Sequence, residues 1–149
     1  MEVSNLTQKM FELPYQFAVA DILYVTELEE EHNNLLEYGL EIKKLSSVSI
    51  KYSENIVQKY PKTSLNDLFA LALAKQESCP LVTGDWVLRK AGEKEAIIIL
   101  GTVWLIDELI KHSIITIDEA KDAYRLMREN GRRLPWKIIE ERLEKSIFI

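Results

Sequence analysis

Residues 64–90 read SLNDLFALALAKQESCPLVTGDWVLRK. Leucine, alanine and phenylalanine leave little polar face over the first half, so a helix over 64–78 is predicted, buried on most sides. Residues 81–83 make a short strand, and Gly84-Asp85 a turn into a further helix through Lys90. One acid, Asp67, opens the first helix; a second, Asp85, comes just after the strand.

Upstream, residues 6–13 read as the end of a helix stopped by Pro14. Residues 17–20 are a strand or a helix lead-in. A helix over 21–38 carries Ile22, Val25, Leu28, Leu35 and Leu36 on one side and ends at Gly39. Residues 40–45 alternate as a strand, and 49–60 form a helix ended by Pro61. Downstream, 96–100 is an Ile-rich run without alternation, as in a strand covered on both faces. Next comes a helix over 101–111, then amphipathic helices over 116–130 and 135–145, joined by Gly131-Arg132-Arg133-Leu134. Helix–strand alternation of this kind predicts an α/β fold: a three-layer α/β/α arrangement with a parallel sheet, in a single domain over 1–149 with the C-terminal helices within 116–146. Chemistry in such folds sits at the carboxyl ends of strands, and Thr83-Gly84-Asp85 lies at one.

Bulk properties narrow the function. The chain has 149 residues, 47% hydrophobic and 29% charged, enough for one core without staples. One cysteine excludes an internal disulfide and a thiolate zinc cage, and a reducing, cytoplasmic setting is expected. Two histidines, His32 and His112, lack partners at ligand spacing. No apolar run approaches the roughly 20 residues of a membrane span. A net charge of −5 argues against binding nucleic acid over the whole surface, but not against a local acidic site that grips a phosphodiester through metal ions.

Three acids stand out, each with a structural reading beside the functional one. Asp67 comes three residues after Ser64, at capping-box spacing. Asp85 can cap the helix after it. Glu27 belongs to the acidic stretch Glu27, Glu29, Glu30 and Glu31, which fits a solvated face.

The 64–90 stretch resembles the core of PIN-domain nucleases, in which a helix-opening Asp and a Thr-Gly-Asp turn, separated by one helix and one strand, supply two of the acids. Residues 20–31, ADILYVTELEEE, resemble the family segment that ends in a Glu-Leu pair, here Glu27-Leu28. The pieces GTVWLIDELIK at Gly101 and GRRLP at Gly131 are similar to a VapC-like prokaryotic subgroup. The resemblance implies a Mg²⁺- or Mn²⁺-dependent endoribonuclease, the toxin of a toxin–antitoxin pair. Asp67 and Asp85 would be metal ligands, directly or through water. Glu27 would be a ligand or would orient the attacking water. Thr83 would position the nucleophile or simply bond backbone at the strand end, and Asn66 is a further candidate. The implied partners are RNA, a cognate antitoxin and a second copy in a homodimer, with no membrane. Carboxylates gathered in one pocket repel one another until a cation resolves the conflict, so the chemistry agrees with the acids.

PIN domains open with an apolar strand ending in Asp. Residues 1–15, MEVSNLTQKMFELPY, hold no such strand. Glu2 or Ser4-Asn5 could stand only as a degenerate version. The expectation is an N-terminally truncated domain with weak or no cleavage, and a non-catalytic PIN scaffold that binds RNA or protein is the alternative.

Four further expectations concern single features. Arg125, Arg128, Arg132, Arg133 and Lys137 read as a solvated face rather than a phosphate-steering patch. Trp86, Trp104 and Trp136 read as core or interface rather than base-stacking residues. Asp107-Glu108 reads as surface, and Cys79 as a buried small hydrophobe.

Overall fold

A computed structural model describes the backbone of residues 6–147 and the side chains of residues 6–144. Glu2 and Ser4-Asn5, the candidates for a degenerate first strand, lie outside the described residues. The chain divides into two compact units: residues 16–101, and residues 6–15 taken with 102–147.

All the described strands lie in the 16–101 unit. β1 (Ala18–Ala20) pairs with β2 (Glu41–Lys43), and β3 (Leu81–Val82) with β4 (Ile99–Leu100). Both pairs are parallel, with Val19 opposite Ile42 and Val82 opposite Leu100. Parallel neighbours need a crossover, and helices supply it. This is the α/β organisation predicted, built here as two strand pairs.

The first crossover departs from the uninterrupted helix expected over 21–38. It runs as α2 (Asp21–Leu23), a π-helical turn (Tyr24–Leu28), a turn, and α3 (Asn34–Tyr38). The Thr26 hydroxyl donates to the Ile22 carbonyl at 2.9 Å and competes with the helical ladder. The Glu29 amide then reaches back five residues to the Tyr24 carbonyl. Gly39, at φ +113°, ends α3 as predicted. Asp21 pegs the crossover to the far side of β2: one carboxylate oxygen accepts the amides of Ile22 and Leu45.

α4 (Ser47–Ile56) is capped by Ser46 and runs into a 3₁₀ turn (Val57–Lys59). α5 (Leu65–Glu77) is the spine of the unit. Its Leu68, Leu71 and Ala74 pack with Ile56, Tyr60, Leu88, Ala91 and Ile97. On another face, its Phe69, Ala72 and Leu73 pack with Ala20, Leu23 and Leu45. Burial on two sides explains why its sequence shows so little amphipathic contrast.

α6 (Trp86–Lys94) continues past the predicted stop at Lys90. A Cβ at Gly92 would run into the Ile99 side chain, so glycine there lets α6 lie close on β4. The helix is ended instead by Ala96, in the left-handed region at φ +62°. Ile98 is 66% exposed, so the run over 96–100 is not covered on both faces as expected. Cys79 is exposed rather than buried, because it sits in the turn after α5.

The second unit contains α1 (Thr7–Met10), α7 (Thr102–Lys111), α8 (Ile117–Glu129) and α9 (Trp136–Ile147). α7 packs against α1 and α8, and α8 against α9. A capping box opens α8: Thr116 accepts from the Glu119 amide, and Glu119 accepts from the Thr116 amide. Glu108 is buried, not on the surface, and accepts the Tyr15 hydroxyl. In the basic cluster, Arg125 pairs with Glu129 and Arg128 with Glu140, the solvated, paired face that was expected.

Candidate active site

Glu27, Asp67, Asp85 and Thr83 all lie in the 16–101 unit. Asp67 occupies the first turn of α5. Its amide donates to the Ser64 hydroxyl oxygen at 3.1 Å, which is half of a capping box. The other half, a bond from the carboxylate back to Ser64, does not form among the described residues. The Asp67 side chain is one methylene shorter than that of Glu119, which closes the box on α8. Both oxygens of Asp67 therefore remain available.

Asp85 caps α6. One of its oxygens accepts the amides of Val87 and Leu88, at 2.8 and 3.2 Å, while its second takes no described bond. Thr83 shapes the turn that delivers it: the Thr83 hydroxyl oxygen accepts the Asp85 amide at 3.1 Å. That is the backbone-bonding role of a strand-end hydroxyl.

β3 packs against α5, and Asp85 follows the carboxyl end of that strand.

Glu27 is held at the start of α5 by a residue that had stood only as a further candidate. The Asn66 amide group donates to one Glu27 oxygen at 3.1 Å, tying the π-helical turn to the start of α5 beside Asp67. A π turn inserts one extra residue and rotates the chain beyond it, a device frequent at functional sites. No periodicity in the sequence announces it.

No Lys or Arg among the described residues lies within ion-pair distance of Glu27, Asp67 or Asp85. Several other acids of the unit, among them Glu29, Glu30, Glu31, Glu54 and Glu93, also stand without such a pair among the described residues, whereas Glu77 and Glu95 are held. Glu77 pairs with Lys43, which lowers its pKa. Glu95 accepts from Tyr52, Tyr60 and Lys59, and these bonds, that of Tyr52 foremost, pull its pKa down to about 2.

A family model described as a PIN domain matches residues 12–147. The chain belongs to the PIN-domain family. No curated protein and no solved structure gives a significant match.

PIN domains are generally nucleases and typically bind divalent metal ions, and the α/β organisation with parallel strands agrees with that membership. The donor chemistry fits such an ion: carboxylate oxygens without counter-charge are what Mg²⁺ or Mn²⁺ prefers, and Mg²⁺ commonly takes one or two of them and keeps several waters. A closed cage does not form, since no group of three or more His, Cys, Asp or Glu among the described residues is placed to hold an ion. The fit is to a largely hydrated ion on few protein ligands. No helix of the described residues is long and apolar enough to cross a membrane.

Proposed function

We propose that this PIN domain is a metal-dependent endoribonuclease that uses Asp67 and Asp85 to hold Mg²⁺ or Mn²⁺ and Glu27 to orient the attacking water. The observation that carries the reading is the Asn66–Glu27 hydrogen bond, which brings Glu27 to the start of α5 next to Asp67, two acids of the PIN pattern with no cation paired to either among the described residues. The bound ion would polarise the phosphodiester and lower the pKa of water. Asp67 would offer both oxygens. Asp85 would offer the oxygen not spent on its helix cap, so that the cap fixes the carboxylate's direction. Asn66 would hold one oxygen of Glu27 and leave the other to accept a proton from water. Thr83 would act by keeping Asp85 in place. The VapC-like tail pieces support a toxin role, with an antitoxin covering the acids and a homodimer as the assembly.

The test is cleavage of a fluorescently labelled single-stranded RNA with Mg²⁺, with Mn²⁺ and with chelator. The reading expects metal-dependent cleavage, weak in this chain, that Asp67→Asn abolishes. Cleavage that persists in that variant would contradict it.

The lack of a three-acid cage favours a second reading, a non-catalytic PIN scaffold that binds RNA or protein. It expects RNA binding without cleavage under any metal, unchanged in Asp67→Asn.

A further inference from the structure

Trp86 is the first residue of α6, directly after Asp85. It is 64% exposed, so it is not the core residue that was one of the two expectations for it. The Lys90 ammonium stands 4.9 Å from the ring centroid, over one face of the indole. A tryptophan left this open leaves much of its apolar surface in water, with no packing in return.

Its surroundings decide what it suits. Val87, 39% exposed, is the apolar neighbour on the same turn. Ile98, the other strongly exposed apolar side chain of this strand–helix–strand unit, directly precedes the amino end of β4, whereas Trp86 lies past the carboxyl end of β3. The apolar surface at Trp86 is thus one ring beside a cation, too small for the core of a protein interface. One aromatic face with an adjacent ammonium matches a nucleotide: a base for the ring, a phosphate for the charge.

We propose that Trp86 and Lys90 form a nucleotide platform, on which a base of single-stranded RNA stacks against the open indole face while Lys90 meets the neighbouring phosphate. The proposal rests on the nuclease reading of the acids beside it. It adds a seat for one base of that substrate beside the acids, open only to an unpaired base, because a stacked base inside a duplex has no free face to offer. Asp85 would then receive a backbone already positioned by the adjacent residue.

The experiment titrates the full chain with a single-stranded RNA octamer in EDTA, so that binding is read without cleavage. Tryptophan fluorescence and the anisotropy of a labelled octamer are followed together. Binding should quench a component that is missing in Trp86→Phe, separating Trp86 from Trp104 and Trp136. Trp86→Ala should weaken binding about tenfold, and Trp86→Phe should restore most of it. Lys90→Gln should lower the slope of log affinity against log salt by about one. The melting temperature of Trp86→Ala should match that of the unaltered chain, since the ring is exposed. Equal octamer affinity in Trp86→Ala would overturn the proposal. So would a loss of self-association, seen by sedimentation, with octamer binding unchanged, because the ring would then be a protein contact. Failure of the nuclease reading looks different: no Mn²⁺ binding by the unaltered chain, with the Trp86 quench intact.

Discussion

Glu95 and Asp67 are acids of the same unit, and the fold treats them in opposite ways. Glu95 closes α6 with a side chain only 9% exposed, ringed by two tyrosine hydroxyls and the Lys59 ammonium. Asp67 opens α5 with its amide used and its carboxylate unused. The pKa of Glu95 is far from its ordinary value of 4.5, yet every partner responsible for that is structural. A strongly perturbed carboxylate often marks a functional site. Here it marks a knot between α6 and the end of α4. The acids matching the PIN pattern are among those left without a counter-charge in the described residues.

The largest effect should come from breaking the knot. A fall from 4.5 to about 2 corresponds to roughly 3 kcal/mol at neutral pH. Glu95→Gln should lose up to about that much in urea unfolding. Because the folded pKa is depressed, this contribution is whole above 4.5 and fades as pH falls from 4.5 through about 2. The variant should therefore show a flatter acid limb in stability against pH, and a limb as steep as that of the unaltered chain would place the acid sensitivity elsewhere. Tyr60→Phe comes next. It removes one bond to an ionised acceptor, costs about 2 kcal/mol, and should be read in the same urea titrations. The Tyr60 hydroxyl, pushed up to about 12 by burial and by Glu95, stays neutral throughout that range.

Asp85 is intermediate, because it serves both structure and the proposed site. Asp85→Ala should cost about 1 kcal/mol through the lost cap, while Asp85→Asn retains the cap and nearly all the stability. Thermal melts of the two separate capping from charge. Asp67→Asn should have the smallest effect, within about 0.5 kcal/mol, since no described partner is lost. A large destabilisation there would erase the contrast with Glu95.

Local rules made part of this legible from the sequence. Gly39 as a stop, Ser64 and Thr116 as caps and the apolar richness of α5 all come from nearest-neighbour chemistry. The candidate acids were legible through the PIN resemblance rather than through spacing. What was hidden depends on distant contacts. The helix after Asp85 reads as ending at Lys90, but it runs on through Gly92, where Ile99 needs the gap a glycine leaves. Residues 21–38 read as one helix, but Thr26 and the Tyr24 carbonyl open a π turn. Asn66 carries no signal of its own, because Glu27, 39 positions away, gives it its role. Trp86 has the look of a core residue, and only its placement at the open start of α6 shows otherwise.

The most direct measurement is a calorimetric Mn²⁺ titration of three proteins side by side: the unaltered chain, Asp67→Asn/Asp85→Asn, and Glu95→Gln at a temperature where it remains folded. Saturable binding is expected in the first, none in the second, and affinity close to that of the unaltered chain in the third. Mn²⁺ affinity that survives the paired aspartate change, or that vanishes with Glu95→Gln, would contradict the assignment of the ion to the unpaired acids.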